Sequence, residues 1–473
     1  MVKFFKVNDP FRIIALLILA LACRASFFLN PIHLTVQELN WMVLGEKLSK
    51  GFLLYRDIWD NISPLSAGMY ALVHLAFGKS AIAYHIIAFV LSFGHALYFN
   101  YIARKNELFN DKSYLPAAVY LILTNLFFDF FTLSPVLMST TFLLITIDNV
   151  FFHIRRQTSD AGIFNIGFFI SLASLFYLPS ISFILFPIFA FVLFSKTSFR
   201  QYLVLLIGFS FPSGITFLIY FFQNSVADFM TNFVFSHIYL APDDIYNAPV
   251  FMVILIGPMI VVILAILSLA GSNRHINYQI ICQQLMFFWM LLALAVFTFS
   301  EKSAGYQLMP LVPAMAFFII HYMLAVRKKF YAEIAFWALL ANTMYITYDS
   351  FYGGVLEHTI INTQETFVKP HQYDQLIKNS KVLVTGQNHS ILRYNTLATP
   401  YFNWGLAENH FGNLNSYNNV IGIYQNFKKD WPDYIIDDQE IMPAVIERIP
   451  LLGQQYAQTT YQDLYVRRDL LRK

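Results

Sequence analysis

The feature that most constrains this chain is a succession of apolar runs, each close to the ~20 residues a helix needs to cross a bilayer. They fall at 11–29, 81–103, 114–131, 135–152, 162–178, 180–195, 201–222, 250–270, 279–298, 306–325 and 330–348. Inside hydrocarbon every backbone N–H and C=O must be satisfied within the segment, so repeated runs of this kind predict a bundle of about eleven transmembrane helices. Charged residues make up only 12% of the chain, roughly half the ~25% of a soluble domain. The first run follows Lys3, Lys6 and Arg12 and passes Ala20-Leu21-Ala22-Cys23, faintly like a lipoprotein cleavage box. It continues through Phe27-Phe28-Leu29 and is followed by further spans, so it reads as a retained first crossing.

Lys and Arg occupy every second loop: Lys3/Lys6, Arg104/Lys105/Lys112, Arg155/Arg156, Lys196/Arg200, Arg274 and Arg327/Lys328/Lys329. Basic residues accumulate on the cytoplasmic side, which places the N-terminus inside and, after an odd number of crossings, residues 350–473 outside. The run at 64–77 is too short for a comfortable crossing, and counting it would invert every basic loop after it. It is expected to lie along the outer surface, preceded by a surface helix over 36–49 with Val36, Leu39, Val43 and Leu48 on one face. Beyond residue 350 the chain turns polar, with strand-like runs at 381–384, 434–436 and 464–467 and a helix-compatible stretch over 437–449. The expected fold class is therefore a membrane all-α domain over 1–349, with a first outer loop at 30–80, and a small extracytoplasmic α/β domain over 350–473. The layout leaves the outer side open between a periplasm and a lumen.

Several function classes drop out early. The net charge of +3 is small and dispersed, unlike the basic stripe of a nucleic-acid binder. Cys23 and Cys282 both sit in apolar runs and support neither a disulfide framework nor a cysteine metal site. No Walker loop, strand-linked GxGxxG or HExxH occurs. A transporter stays open as a third option behind the two given below: carriers usually show broken or charged helices near the midplane in related halves, whereas here the polar residues gather towards one surface and no halves match.

That polar information is densest in the first outer loop, from His33 through Thr35-Val36-Gln37-Glu38 to Gly51–Leu65 with Arg56, Asp57 and Asp60. Acids at a membrane surface can act as bases on an acceptor, and Arg56 and Lys302 are suited to a lipid phosphate. Each has a structural reading beside the chemical one. Thr35-x-x-Glu38 is a capping box, Arg56, Asp57 and Asp60 suit a salt-bridged turn, and Lys302 and Arg24 can snorkel to headgroups. Asp129 sits near the end of its span, where an ionisable group is costly without water or a partner. Asp148 and His85 are expected to hydrogen-bond between helices.

Taken together, Arg24, Gln37-Glu38, Gly51 to Asp57, Pro64-Leu65, Phe77-Gly78 and Lys302-x-x-x-Tyr306-x-x-x-Pro310-x-x-Pro313 resemble the GT-C glycosyltransferases, which include aminoarabinose transferases and protein O-mannosyltransferases. The resemblance implies transfer of a sugar from a polyprenyl-phosphate carrier to an extracytoplasmic lipid or protein acceptor. By position, Glu38 would be the base, with Asp57 and Asp129 as further acids. Arg56, Lys302 and Tyr306 would lie at the carrier phosphate. No metal ligands and no cofactor are assigned, although the family chemistry leaves room for a divalent cation. The chain departs from the family pattern at Gln37, where many members carry Asp, and at His85, where an Arg is expected. These departures define the alternative: a non-catalytic GT-C-like protein that binds a lipid or serves as scaffold or subunit of a membrane protein complex.

Overall fold

The computed structural model describes all residues except 26–33, 158, 240–244, 271–276, 301–303, 327 and 472–473. Lys302, Arg274, Arg327, His33 and the end of the first expected span therefore lie outside the described residues. The chain is mostly helical, with a small sheet near the C-terminus. Among the described residues, six helices are long and apolar enough to cross a membrane: Ala81–Lys105, Pro135–Arg156, Phe199–Phe222, Ala248–Leu269, Asn277–Thr298 and Gly305–Ala325. Each coincides with an expected span. Helices of this length and apolarity fit a membrane protein.

The other expected spans take different forms. Helices Asp160–Phe176 and Leu178–Phe194 are apolar but shorter, as is Arg12–Cys23. Helix Lys329–Tyr352 is long but more polar. The run at 114–131 is not one helix. Leu115–Leu123 is followed by a turn and a 3-10 segment, Phe128–Phe131, that places Asp129. An apolar stretch absent from the expected set, Val226–Phe235, is also helical.

By internal contacts the chain divides into two compact units, 1–32 with 82–216 and 242–364, and 33–81 with 217–241 and 365–473. In the first unit, helix Gly305–Ala325 is buried along most of its length, whereas Phe199–Phe222 turns Leu203, Ile207 and Phe211 outward. An apolar outer face is what a lipid-contacting helix requires. Helices Asp160–Phe176 and Phe199–Phe222 touch backbone to backbone: a Cβ at Gly167 would strike the Leu205 carbonyl, and one at Gly208 the Phe164 carbonyl. Small residues permit such close crossings in membranes, where packing rather than water drives association.

The second unit is built on a five-stranded sheet of order β2-β1-β3-β5-β4. Strands β1 (Lys381–Val384), β2 (Thr396–Leu397) and β3 (Tyr434–Ile436) are parallel, and β5 (Leu464–Arg467) and β4 (Tyr456–Gln458) continue the sheet antiparallel. Leu383, Ile435 and Tyr465 join Phe411, Ile423, Phe427, Met442 and Val445 in its core. The first loop is bound into this unit. Val36 N–H donates to Thr366 O, Val368 N–H to Leu34 O, and Trp59 N–H to Pro400 O. Helices Val36–Ser49 and Pro64–Phe77 cross at Gly45, where an added Cβ would meet the Tyr70 carbonyl oxygen at 2.5 Å.

Candidate functional site

Helix Val36–Ser49 begins with a complete capping box. Glu38 N–H donates to Thr35 Oγ1 (3.2 Å) and Thr35 N–H donates to Glu38 Oε2 (3.0 Å). Thr35 is extended, so its hydroxyl faces the free N–H groups of the first turn. Glu38 is buried, and its cap position is established whatever else it does.

The same helix ends in charge. Glu46 pairs with Lys50 (2.5 Å) and with Lys79 (2.6 Å). Burial would raise its pKa, but the two ammonium groups outweigh that and hold it below the usual carboxylate value. Lys79 also donates to the carbonyls of Leu392 and Asn395. Lys47 is buried and lies 3.5 Å from buried Asp430, which accepts from Lys381 Nζ and from the Thr399 N–H and hydroxyl. Removal from water lowers the Lys47 pKa, and Asp430 opposes that shift. These contacts fasten 36–79 to the sheet.

After Gly51, at φ +89°, the chain folds back into the loop carrying Arg56 and Asp57. Tyr55 is fully buried against Tyr220, Phe229 and Phe233 and donates to Ile62 O, while Asn232 Nδ2 donates to Tyr55 O. This anchor presents Arg56 and Asp57 outward. Arg56 grips Asp57 with two hydrogen bonds of 3.0 Å, and Leu53 N–H adds a third. Burial pushes the Asp57 pKa up, but Arg56 and the Leu53 N–H more than reverse it, leaving a carboxylate that resists protonation.

Arg56 and Asp57 line a cleft of about 310 Å³ together with Lys50, Thr399, Asn426 and Lys429. Of its three cations, Lys50 is paired with Glu46 and Arg56 with Asp57, which leaves the Lys429 ammonium as the cleft's cation outside those pairs. Asp228, half-buried, feels both Arg56 and Lys429. Burial raises its pKa, and the two cations only partly offset that. The cleft is thus lined by guanidinium, ammonium and amide groups, and Asp228 lies within the field of two of its cations.

The structure brings Arg56 and Asp57 together and adds Lys50, Asn426, Lys429 and Asp228, which the sequence reading missed. Asn426 and Lys429 stand one turn apart on helix Tyr417–Lys429, the only local hint that they share a face.

In the first unit, Asp129 is buried and accepts from Gly305 N–H (3.1 Å) and, at longer range, from the Tyr246 hydroxyl (3.5 Å). Gly305 opens the 3-10 turn that carries buried Tyr306, so these two sequence candidates do meet around one turn. Arg24 is buried in the same unit, donating to Asn125 Oδ1 (2.8 Å) with its guanidinium over the Phe131 ring. It is not a snorkelling side chain. His85 bonds to Phe131 O, and Asp148 accepts from Asn106 and Lys105, as interhelical ties. Among the described residues no group of three His, Cys, Asp or Glu is placed to hold a metal.

Residues 62–351, more than half of the chain, match a family described as of unknown function, DUF6427. The chain belongs to DUF6427. The matched segment holds Asp129, Tyr306 and all six long apolar helices of this DUF6427 protein, while Glu38, Arg56 and Asp57 precede it. No curated protein matches the chain.

Proposed function

We propose that this DUF6427 protein is a GT-C-like membrane transferase that takes a sugar from a polyprenyl-phosphate carrier and passes it to a lipid or protein acceptor outside the cytoplasm. The observation that carries the reading is the cleft lined by Lys50, Arg56, Asp57 and Lys429, with Asp228 within the field of Arg56 and Lys429. A carrier phosphate is an anion that arginine and lysine bind well. Transfer also needs a carboxylate to take the acceptor's proton. The resemblance assigns that role to Glu38, and the raised pKa makes Asp228 the second candidate. Eleven crossings with the N-terminus inside, and hence a periplasmic α/β domain in a bacterial inner membrane, complete this reading. The alternation of basic loops supports it.

A second reading has its own observation. Glu38 is engaged in a helix cap and Asp57 in a tight ion pair, as in a scaffold that binds a lipid or partner without turnover. The two readings separate in a deletion strain complemented with wild type, Glu38→Gln, Asp228→Asn or Arg56→Ala, with insertion of each verified and glycan and lipid profiles compared. Loss of a true base lowers transfer by about 10²–10⁴-fold. The transferase reading expects one acid variant and Arg56→Ala to lose a glycosylated species. If all three variants restore a wild-type profile, catalysis by these groups is excluded and the scaffold reading stands.

A further inference from the structure

A second, larger cavity lies away from the Arg56 cleft. The first unit contains a cavity of about 560 Å³ where helices Ala81–Lys105 and Pro135–Arg156 end and helix Asn277–Thr298 begins. That is within the roughly 300–1,000 Å³ of small-molecule sites. Its rim carries Arg104, Lys112 and Arg155 against Glu107 and Asp111. Both carboxylates are already matched, Glu107 by Arg155 (2.5 Å) and Asp111 by Lys6 (2.7 Å). Arg104 and Lys112 are left without an ion pair among the described residues.

A basic rim alone is the ordinary state of a membrane protein's cytoplasmic loops. Two buried atoms in the wall point to a ligand instead. Ser113 is 1% exposed, and its hydroxyl has no hydrogen-bond partner within the protein. Gln279 is 4% exposed, with its amide nitrogen held by Asn110 Oδ1 (2.9 Å) and Glu107 O (3.4 Å). That anchorage fixes the other end of the amide, and Oε1 is likewise unpartnered. Leaving such groups buried and unsatisfied is costly. The wall therefore presents one free hydroxyl donor and one free acceptor beside two free cations.

We propose that this cavity binds a phosphate group bearing an adjacent hydrogen-bond donor, the chemistry of an anionic glycerophospholipid headgroup. Arg104 and Lys112 neutralise the phosphate, the Ser113 hydroxyl donates to one of its oxygens, and Gln279 Oε1 accepts from the headgroup's own hydroxyl or ammonium. The proposal is independent of the transferase reading, because none of these residues belongs to the Arg56 cleft.

The test uses full-length protein in nonionic detergent, titrated with phosphatidylglycerol, phosphatidylcholine or inorganic phosphate, with bound ligand counted by native mass spectrometry. Phosphatidylcholine carries the phosphate but neither net charge nor a donor. One phosphatidylglycerol should be retained saturably in preference to phosphatidylcholine. Arg104→Ala/Lys112→Ala should weaken it on the order of tenfold or more, as expected for charge-assisted bonds. Ser113→Ala, which removes only an unpartnered hydroxyl, should weaken it a few-fold without lowering the thermal midpoint. Variant-sensitive binding of inorganic phosphate that displaces the lipid would identify free phosphate as the source, and failure to displace it would identify the headgroup. Equal retention of the two lipids, or wild-type affinity in every variant, would overturn the proposal and leave a hydrated cavity with a basic rim.

Discussion

Two aspartates in the α/β unit respond to pH with opposite signs. Asp430 is buried, and although burial raises its pKa, Lys381, Lys47 and the Thr399 N–H bring it below the unfolded value. It therefore contributes stability above the unfolded pKa, and that contribution is lost as pH falls through the folded one. Asp438 lies against Gly386 after β1, and burial, then Asp463 and Asp437, push it up to about 6. Its folded form binds a proton that the unfolded form has released, so it weakens the fold above pH ~6 and ceases to do so below ~4. Asp438→Asn should raise the thermal midpoint at pH ~7.5, and the gain should shrink to nothing by pH ~4. A gain that persists in acid would sink this account. Lys47→Ala leaves Asp430 with Lys381 and Thr399 but removes one buried partner, at a cost of about 1.5–3 kcal/mol in chemical denaturation, the range for a hydrogen bond to a charged group.

At the scale of elements, helix Val36–Ser49 depends on its cap and on its crossing with Pro64–Phe77. Thr35→Ala should cost about 1 kcal/mol, whereas Glu38→Gln keeps a capping-box side chain and should be near neutral for stability. Stability and transfer measured on the same Glu38 variant thus separate a cap from a base. Gly45→Ala drives a methyl group into the Tyr70 carbonyl. The two helices must separate, and roughly 1–3 kcal/mol of lost stability is expected. Normal denaturation of Gly45→Ala would mean that the crossing yields without cost. Much at this scale was legible beforehand. Strands β1, β3 and β5 fall at the expected residues, the Thr35–Glu38 box forms, and six of the apolar runs are single long helices. The run at 114–131 was not legible as a broken element. Hydropathy registers only that it is apolar, whereas Asn125 and Asp129 find partners on Arg24 and Gly305, contacts that local sequence does not encode.

For the whole molecule, the proposed orientation is open to direct labelling. Cys23 and Cys282 are both buried, so background is low for cysteines introduced one at a time. Lys196→Cys should resist a membrane-impermeant maleimide in intact cells, and Tyr417→Cys, on an exposed helix start, should react. The opposite pattern would invert the topology. By itself the sequence determined a mostly helical chain, with helices apolar enough to cross a membrane and a small terminal sheet. Length, apolarity, alternation and capping are local properties, written within a few turns of chain. Only the tertiary structure decided that the first loop and the C-terminal sheet form one unit, and that Lys50, Arg56 and Lys429 face one cleft. Those groupings rest on ion pairs and backbone bonds between residues hundreds of positions apart, such as Lys47 with Asp430 and Trp59 with Pro400. No spacing rule reaches that far, because the partners are chosen by burial and charge only after the elements have folded together.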